Sequence, residues 1–246
     1  GHLFTVEHWT FIHYHTKFGG KHMKISPTLT EVKEIAKTGK YDILPVSCEI
    51  LSDFITPIEA MRILQNVSTH CYLLESAQAN EAWGRYTFLG YDPKLEINCI
   101  DGHMKLGKLS VETENPSEYI RQILSEYKSP KFDYLPSFTG GLVGYFSYDY
   151  LGYKEKSIRG KARDTEDFKD VDLMLFDKVI AFDNLCQKII LIANMSLDAP
   201  ETGYNKAIVE LKQLRELLMH GEKKQNMGGK LLGEVTPLFD KEQYCE

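Results

Sequence analysis

Residues 94–106 read KLEINCI-DG-HMKL, two stretches that alternate apolar and polar positions on either side of Asp101-Gly102. An Asp-Gly pair supplies the positive φ angles of a two-residue hairpin turn, and alternation with period two turns one face of each strand toward a core. The segment is therefore antiparallel sheet, and it sets the fold class against alternating βαβ units.

Other stretches repeat that reading. VDLMLFDKVIAFDN and KIILIAN form a long hairpin across Asp183 to Gln187, CYLL and YTFLG are short buried strands, and FTGGLVGYFSYDY is a glycine-rich strand. Helices fall between them. In TPIEAMRILQNV, Thr56 is the N-cap, Pro57 the first helical residue and Glu59 the third, a capping box expected to present Ile58, Met61 and Leu64 or Gln65 on one side and to end by Ser68. NPSEYIRQILSEY repeats the capping logic at Asn115, Pro116 and Glu118, and TGYNKAIVELKQLRELLMHG is a long amphipathic helix stopped by Gly221. Helices separated by hairpins predict an α+β fold, with antiparallel, sandwich-like sheets and helices packed outside.

At 246 residues, 43% hydrophobic and 26% charged, the chain can bury a full core. A net charge of −6 with no basic cluster argues against nucleic-acid binding. Five dispersed cysteines without a C-x-x-C pair read as reduced thiols, which points to the cytoplasm. Neither a signal peptide nor an apolar run of roughly 20 residues is present, so no membrane association is expected.

The ends differ from the middle. Residues 1–22 hold five of the eight histidines and are expected to be an expression-derived or disordered leader, with Met23 as the natural start. Residues 23–222 form the main domain and 223–238 a flexible linker. Residues 239–246 begin a helix with Asp240 as its N-cap and Gln243 three beyond it, too short to stand alone, so the sequence reads as cut just past a domain boundary.

No constellation in the chain supports an active site. GGLVGY lacks the spacing of a phosphate loop and its glycines are expected to permit close packing, while Ser47, Cys48 and Ser76 have no evident histidine partner. No catalytic residue, metal ligand or cofactor site is therefore expected in residues 1–246.

HCYLLESAQANEAWGRYTFLGYDP, residues 70–93, is the exception: an apolar run stops at Glu75 and Ser76, and Arg85 follows. Taken in order with LPVSCEILSDFITPIEAMRIL, GGLVGYFSYDY, DLMLFDKVIAFDN and FDKEQYCE, it resembles the N-terminal part of anthranilate synthase component I over essentially all of residues 23–246. The resemblance implies that LLES marks a tryptophan-binding feedback site, giving Leu74, Glu75 and Ser76 as site residues with Arg85 as the cation. An amino-acid ligand needs an acceptor for its ammonium, a donor for its carboxylate and an apolar slot, which are the residue types present.

The resemblance further implies that residues 23–222 are the regulatory domain and that the chorismate-binding catalytic domain starts at about Phe239. It implies a parent lyase that makes anthranilate from chorismate with Mg2+, using ammonia from a glutamine amidotransferase partner, in tryptophan biosynthesis. Two alternatives stand beside it: the homologous aminodeoxychorismate synthase component I of folate synthesis, and a stand-alone amino-acid-binding or scaffold module.

Overall fold

The computed structural model describes residues 23–75, 84–155, 157, 168–225, 228–229, 232–234 and 241–245. Its elements run β1 (Ile25–Ser26), α1 (Leu29–Lys37), β2 (Ile43–Leu51), α2 (Pro57–Val67), β3 (Cys71–Leu74), β4 (Tyr86–Tyr91), β5 (Leu95–Ile100), β6 (His103–Leu106) and β7 (Leu109–Glu112). There follow α3 (Pro116–Ser125), β8 (Gly141–Phe146), a 3-10 turn (Tyr148–Tyr153), β9 (Val171–Phe176), β10 (Lys178–Asp183), β11 (Lys188–Ser196), α4 (Pro200–His220) and α5 (Lys241–Cys245). Every strand pairing is antiparallel. One sheet has the order β1-β2-β11-β10-β4-β3, the other β7-β6-β5-β9-β8, so the α+β class holds.

The two sheets share a corner. The β4/β10 pair of the first sheet continues as the β5/β9 pair of the second, through Asp92–Lys94 on one strand and the single residue Asp177 on the other. Lys94 N–H donates to the Leu175 carbonyl at 2.7 Å, keeping the ladder closed through the bend. Lys178 donates to Asp92 at 2.8 Å and lies over the Tyr91 ring, so an ion pair crosses the corner on the first sheet's side. The stretch VDLMLFDKVIAFD, read as one strand from its sequence, is thus two strands in two sheets, because Asp177 turns the chain without a glycine or proline to announce it.

Helices α1, α2 and α4 cover one face of the six-stranded sheet. Leu211, Leu214 and Leu218 of α4 join Leu44, Val46, Leu89, Ile180 and Leu191 in the largest core. Each fully buried Leu or Ile contributes about 1.5–3 kcal/mol relative to exposure, so this layer dominates the stability. The other face of that sheet is covered by Phe132, Leu135 and Phe138, and α3 packs Ile120 on Ile97, Met104 and Leu173 of the second sheet.

Helix starts follow the capping rules unevenly. Thr56 and Glu59 form both bonds of the capping box that starts α2, and Thr28 with Glu31 form a second box at α1 that the sequence carried as T-x-x-E. At α3, Asn115 makes no side-chain cap bond; it accepts instead from the Ser117 hydroxyl at 2.7 Å. The buried side of α2 is Ala60, Ile63 and Leu64, with Met61 partly buried beside them, while Ile58 points outward, 59% exposed, because it lies about 200° around the helix from Ala60. The Asp101-Gly102 turn has φ of 48° and 86°, the pair of positive angles that its residues favour. The proposed N-cap Asp240 lies outside the described residues.

Candidate functional site

β3 is the outermost strand of the first sheet and β8 the outermost of the second, and a groove of about 410 Å³ lies between them. Leu74, at the end of β3, forms one wall; Leu142, Gly144 and Phe146 of β8 form the other. Ile120 and Leu124 of α3 close one side, with Phe138 at the side nearest the first sheet. The groove is lined throughout by apolar residues, yet Leu74, Leu124 and Phe146 remain 46%, 44% and 49% exposed. Apolar surface this open, held on two rigid sheets, is suited to receiving an apolar group from outside. Among the described residues β3 and β8 each pair with a strand on one side only, which leaves backbone N–H and C=O groups along their other edges.

The local sequence dictates this shape. Leu74 pairs with Phe88 across β3 and β4, so the L-L-E turn-off occurs where the strand reaches the groove. Glycine is needed at position 144, since a Cβ there would stand 1.9 Å from the Asp172 carbonyl oxygen of β9. Phe138 packs edge-on against both Phe88 and Tyr72, which fixes the first-sheet side of the groove.

The sequence-derived site residues are placed as follows. Leu74 lines the groove, and Glu75 follows it as an exposed residue. Ser76 lies outside the described residues. Arg85, three positions before Phe88, directs its guanidinium to Asp183: Nε donates to Oδ1 at 3.1 Å and Nη2 to Oδ2 at 2.7 Å. The pair raises the Arg85 pKa further, and the guanidinium lies over the Tyr86 ring at 4.9 Å. Burial works against the charge on Asp183, but Arg85 and the Cys186 N–H outweigh it and hold the carboxyl below its usual range. Leu142, Phe146, Ile120 and Leu124, the remaining walls, were not singled out as site residues from sequence. The glycine-rich strand, expected only to permit close packing, does so at Gly144 and also supplies a wall of the groove.

Elsewhere the chemistry is structural. Burial pushes the Cys48 thiol up to about 12, which leaves it an inert core residue. Tyr153 donates to Asp170 at 2.6 Å and accepts from Gly102 N–H at 2.7 Å, pinning the 3-10 turn to the β5–β6 hairpin. Among the described residues, no group of three or more His, Cys, Asp or Glu side chains could hold a metal ion, and no helix is long and apolar enough to cross a membrane.

Comparison with known proteins supplies the family. A family model described as chorismate binding enzyme matches residues 69–246, and the chain belongs to that family. Among individual relatives, anthranilate synthase component 1 of Acetivibrio thermocellus is 31% identical over 237 residues, 89% of this chain and 46% of that protein. The Pseudomonas aeruginosa protein of the same name is 36% identical over 186 residues, 72% of this chain and 37% of its own. The crystal structure of anthranilate synthase component I from Streptococcus pneumoniae TIGR4 matches with TM-score 0.44 and 25% identity, over 68% of this chain and 36% of that one. The chain thus spans less than half the length of these relatives.

Proposed function

We propose that this chain is the regulatory, tryptophan-binding part of an anthranilate synthase component I, and that the groove between β3 and β8 is its ligand site. The observation that carries the reading is the position of Leu74: the LLE segment ends on the wall of an open apolar groove of about 410 Å³. The indole would lie against Leu74, Leu124 and Phe146. The ammonium would face Glu75 and the carboxylate the free strand edges, with Ser76 as a further hydrogen-bonding group and Arg85 supplying positive charge from the start of β4. Burial of an indole in such a slot, with its two charged ends paired at the rim, accounts for selection of an aromatic amino acid over an aliphatic one.

In this reading the parent enzyme, a cytoplasmic lyase, converts chorismate to anthranilate with ammonia from a glutamine amidotransferase subunit, and tryptophan at the groove inhibits it. The described residues offer no ligand set for the Mg2+ that this activity implies, so no step of the chemistry is assigned to them. The chain alone is expected to bind and not to catalyse.

Isothermal calorimetry of the 246-residue chain with L-tryptophan, L-phenylalanine, L-leucine and L-glutamate tests the proposal. Saturable binding of L-tryptophan, tighter than that of the other three, is expected. Absence of heat with L-tryptophan, or equal affinity for all four, would overturn it. Incubation with chorismate, ammonia and Mg2+ is expected to give no anthranilate fluorescence.

A further inference from the structure

The two walls of the groove belong to different sheets, so the spacing between them is set at the corner where those sheets meet. Asn194 of β11 stands against that corner. Its Nδ2 donates to the Thr139 carbonyl at 2.7 Å and to the Asp177 carbonyl at 3.0 Å, while its backbone N–H donates to Asp177 at 2.8 Å. A primary amide nitrogen has two hydrogens, and both are accounted for. Asp177 is the single residue between β9 and β10, and Thr139 lies two residues before β8. One side chain of the first sheet therefore holds both the bend and the approach to the opposite wall.

The sequence makes room for this reach. At Gly140 φ is +143°, and a Cβ there would stand 2.6 Å from Asn194 Nδ2 and 3.0 Å from the Phe176 carbonyl oxygen. Asn194 also borders a smaller cavity of about 110 Å³, with Gly140, Gly141 and Asp177. Leu124 lines both that cavity and the groove, so the brace and the groove share a wall.

We propose that Asn194 is a positioning residue that fixes the width of the groove and thereby its selectivity for a large aromatic side chain. The inference rests on the groove being the amino-acid site. Loss of the brace lets β8 move relative to Leu74, and a ligand that fills the groove suffers more from the change than a smaller one.

Asn194→Asp keeps the side-chain shape but replaces two donors by a carboxylate facing two carbonyl oxygens. Gly140→Ala attacks the same contact from the other side. Calorimetry of each variant with L-tryptophan and with L-phenylalanine, alongside amide hydrogen exchange, reads the effect. The expected result is L-tryptophan affinity lowered by about tenfold or more, a smaller loss for L-phenylalanine, and faster exchange concentrated in Gly141–Phe146 while β2 is unchanged. An unchanged affinity ratio with exchange raised uniformly would reduce Asn194 to a general fold brace and overturn the inference. If Asn194→Asp does not fold, Asn194→Ser, which keeps one donor, carries the same readouts with a smaller expected change. If the wild-type chain binds neither amino acid, the ligand reading falls and with it the claim on selectivity. The exchange pattern then decides the brace itself: acceleration confined to Gly141–Phe146 upholds it, and uniform or absent acceleration overturns it.

Discussion

Arg85 and Asp183 meet in a two-pronged ion pair, with Nε to Oδ1 at 3.1 Å and Nη2 to Oδ2 at 2.7 Å. Asp183 is almost fully buried, and its Oδ1 also accepts from the backbone N–H groups of Leu185 and Cys186 at 3.2 and 3.0 Å. The pair ties the start of β4 to the β10–β11 turn, and Asn184 N–H donates to the Arg85 carbonyl beside it. The guanidinium charge is thus compensated before a ligand arrives, so a ligand carboxylate would share this cation with Asp183.

That arrangement predicts a stability effect at Arg85 larger than its effect on ligand affinity. Arg85→Ala should cost about 1–3 kcal/mol by leaving the buried carboxylate without its cation, with only backbone N–H groups and the Cys186 thiol as donors. Arg85→Lys should restore only part of it, since a lysine cannot form the planar two-pronged contact. The pH dependence has a definite sign. A carboxyl held below its usual range gives stability that is present above the ordinary carboxylate pKa and lost as pH falls through the lowered folded value. The gap between wild type and Arg85→Ala should therefore be full at about pH 7 and close as pH falls below the ordinary carboxylate range of about 4. Urea midpoints across that range check it, and a gap that widens in acid would count against the pair as drawn.

A second expectation concerns Tyr72 and Gly90, which face each other across β3 and β4. The Tyr72 ring lies over Gly90 so closely that a Cβ there would stand 2.1 Å from Cε1. Among the described residues its buried hydroxyl has no hydrogen-bond partner, and burial raises its pKa. Tyr72→Phe should then be neutral or stabilising, because it removes an unsatisfied polar group without touching the edge-on packing against Phe138 and Phe176. Gly90→Ala should instead cost about 1–3 kcal/mol through overpacking. Thermal unfolding of the two variants separates them, and a clear loss in Tyr72→Phe would show that the hydroxyl is in fact bonded.

Local signals carried much of the fold. The Asp101-Gly102 hairpin, the Thr56 capping box and the Gly221 stop follow from residue chemistry within a few positions and stand where the sequence put them. The α1 box at Thr28 and Glu31 is equally local, a T-x-x-E whose following residues are less apolar than those of α2. The corner at Asp177 is not legible, because the polar pair Asp177-Lys178 between two apolar runs carries no glycine or proline, and only the pairing of β9 and β10 with different partners reveals two sheets. The groove divides the same way. Leu74 and Glu75 were marked by an apolar run that stops, whereas Phe146 and Leu124 reach the groove by tertiary packing that no nearby residue encodes.

The helix caps give a third prediction. Thr28→Ala and Thr56→Ala each remove the side-chain acceptor for the N–H three residues on, and each should cost about 1 kcal/mol. Asn115→Ala should cost less at the start of α3, since Asn115 makes no cap bond to its helix. Denaturant midpoints for the three variants give the ranking; an equal loss at Asn115 would mean that the Ser117 contact does the work of a cap.

Leu124 offers the most selective probe of the groove. It sits on the outer turn of α3, 44% exposed, so a polar residue there keeps the helix and removes little buried area. It also closes one side of the groove between Leu74 and β8, where an incoming indole would have to lie against it. Leu124→Glu places a carboxylate at that wall, which an apolar ligand can meet only by desolvating the charge without pairing it. Affinity for L-tryptophan should fall by about tenfold or more, equivalent to at least about 1.4 kcal/mol, while the thermal midpoint changes little, as expected for a surface substitution. Leu109→Glu, at a similarly exposed position on β7 outside the groove, is the matched control and should leave binding unchanged. Calorimetry on the two variants gives the comparison directly. Equal affinities in Leu124→Glu and wild type would remove the ligand from this groove, and the LLE segment would then be an edge strand that ends beside an apolar cleft.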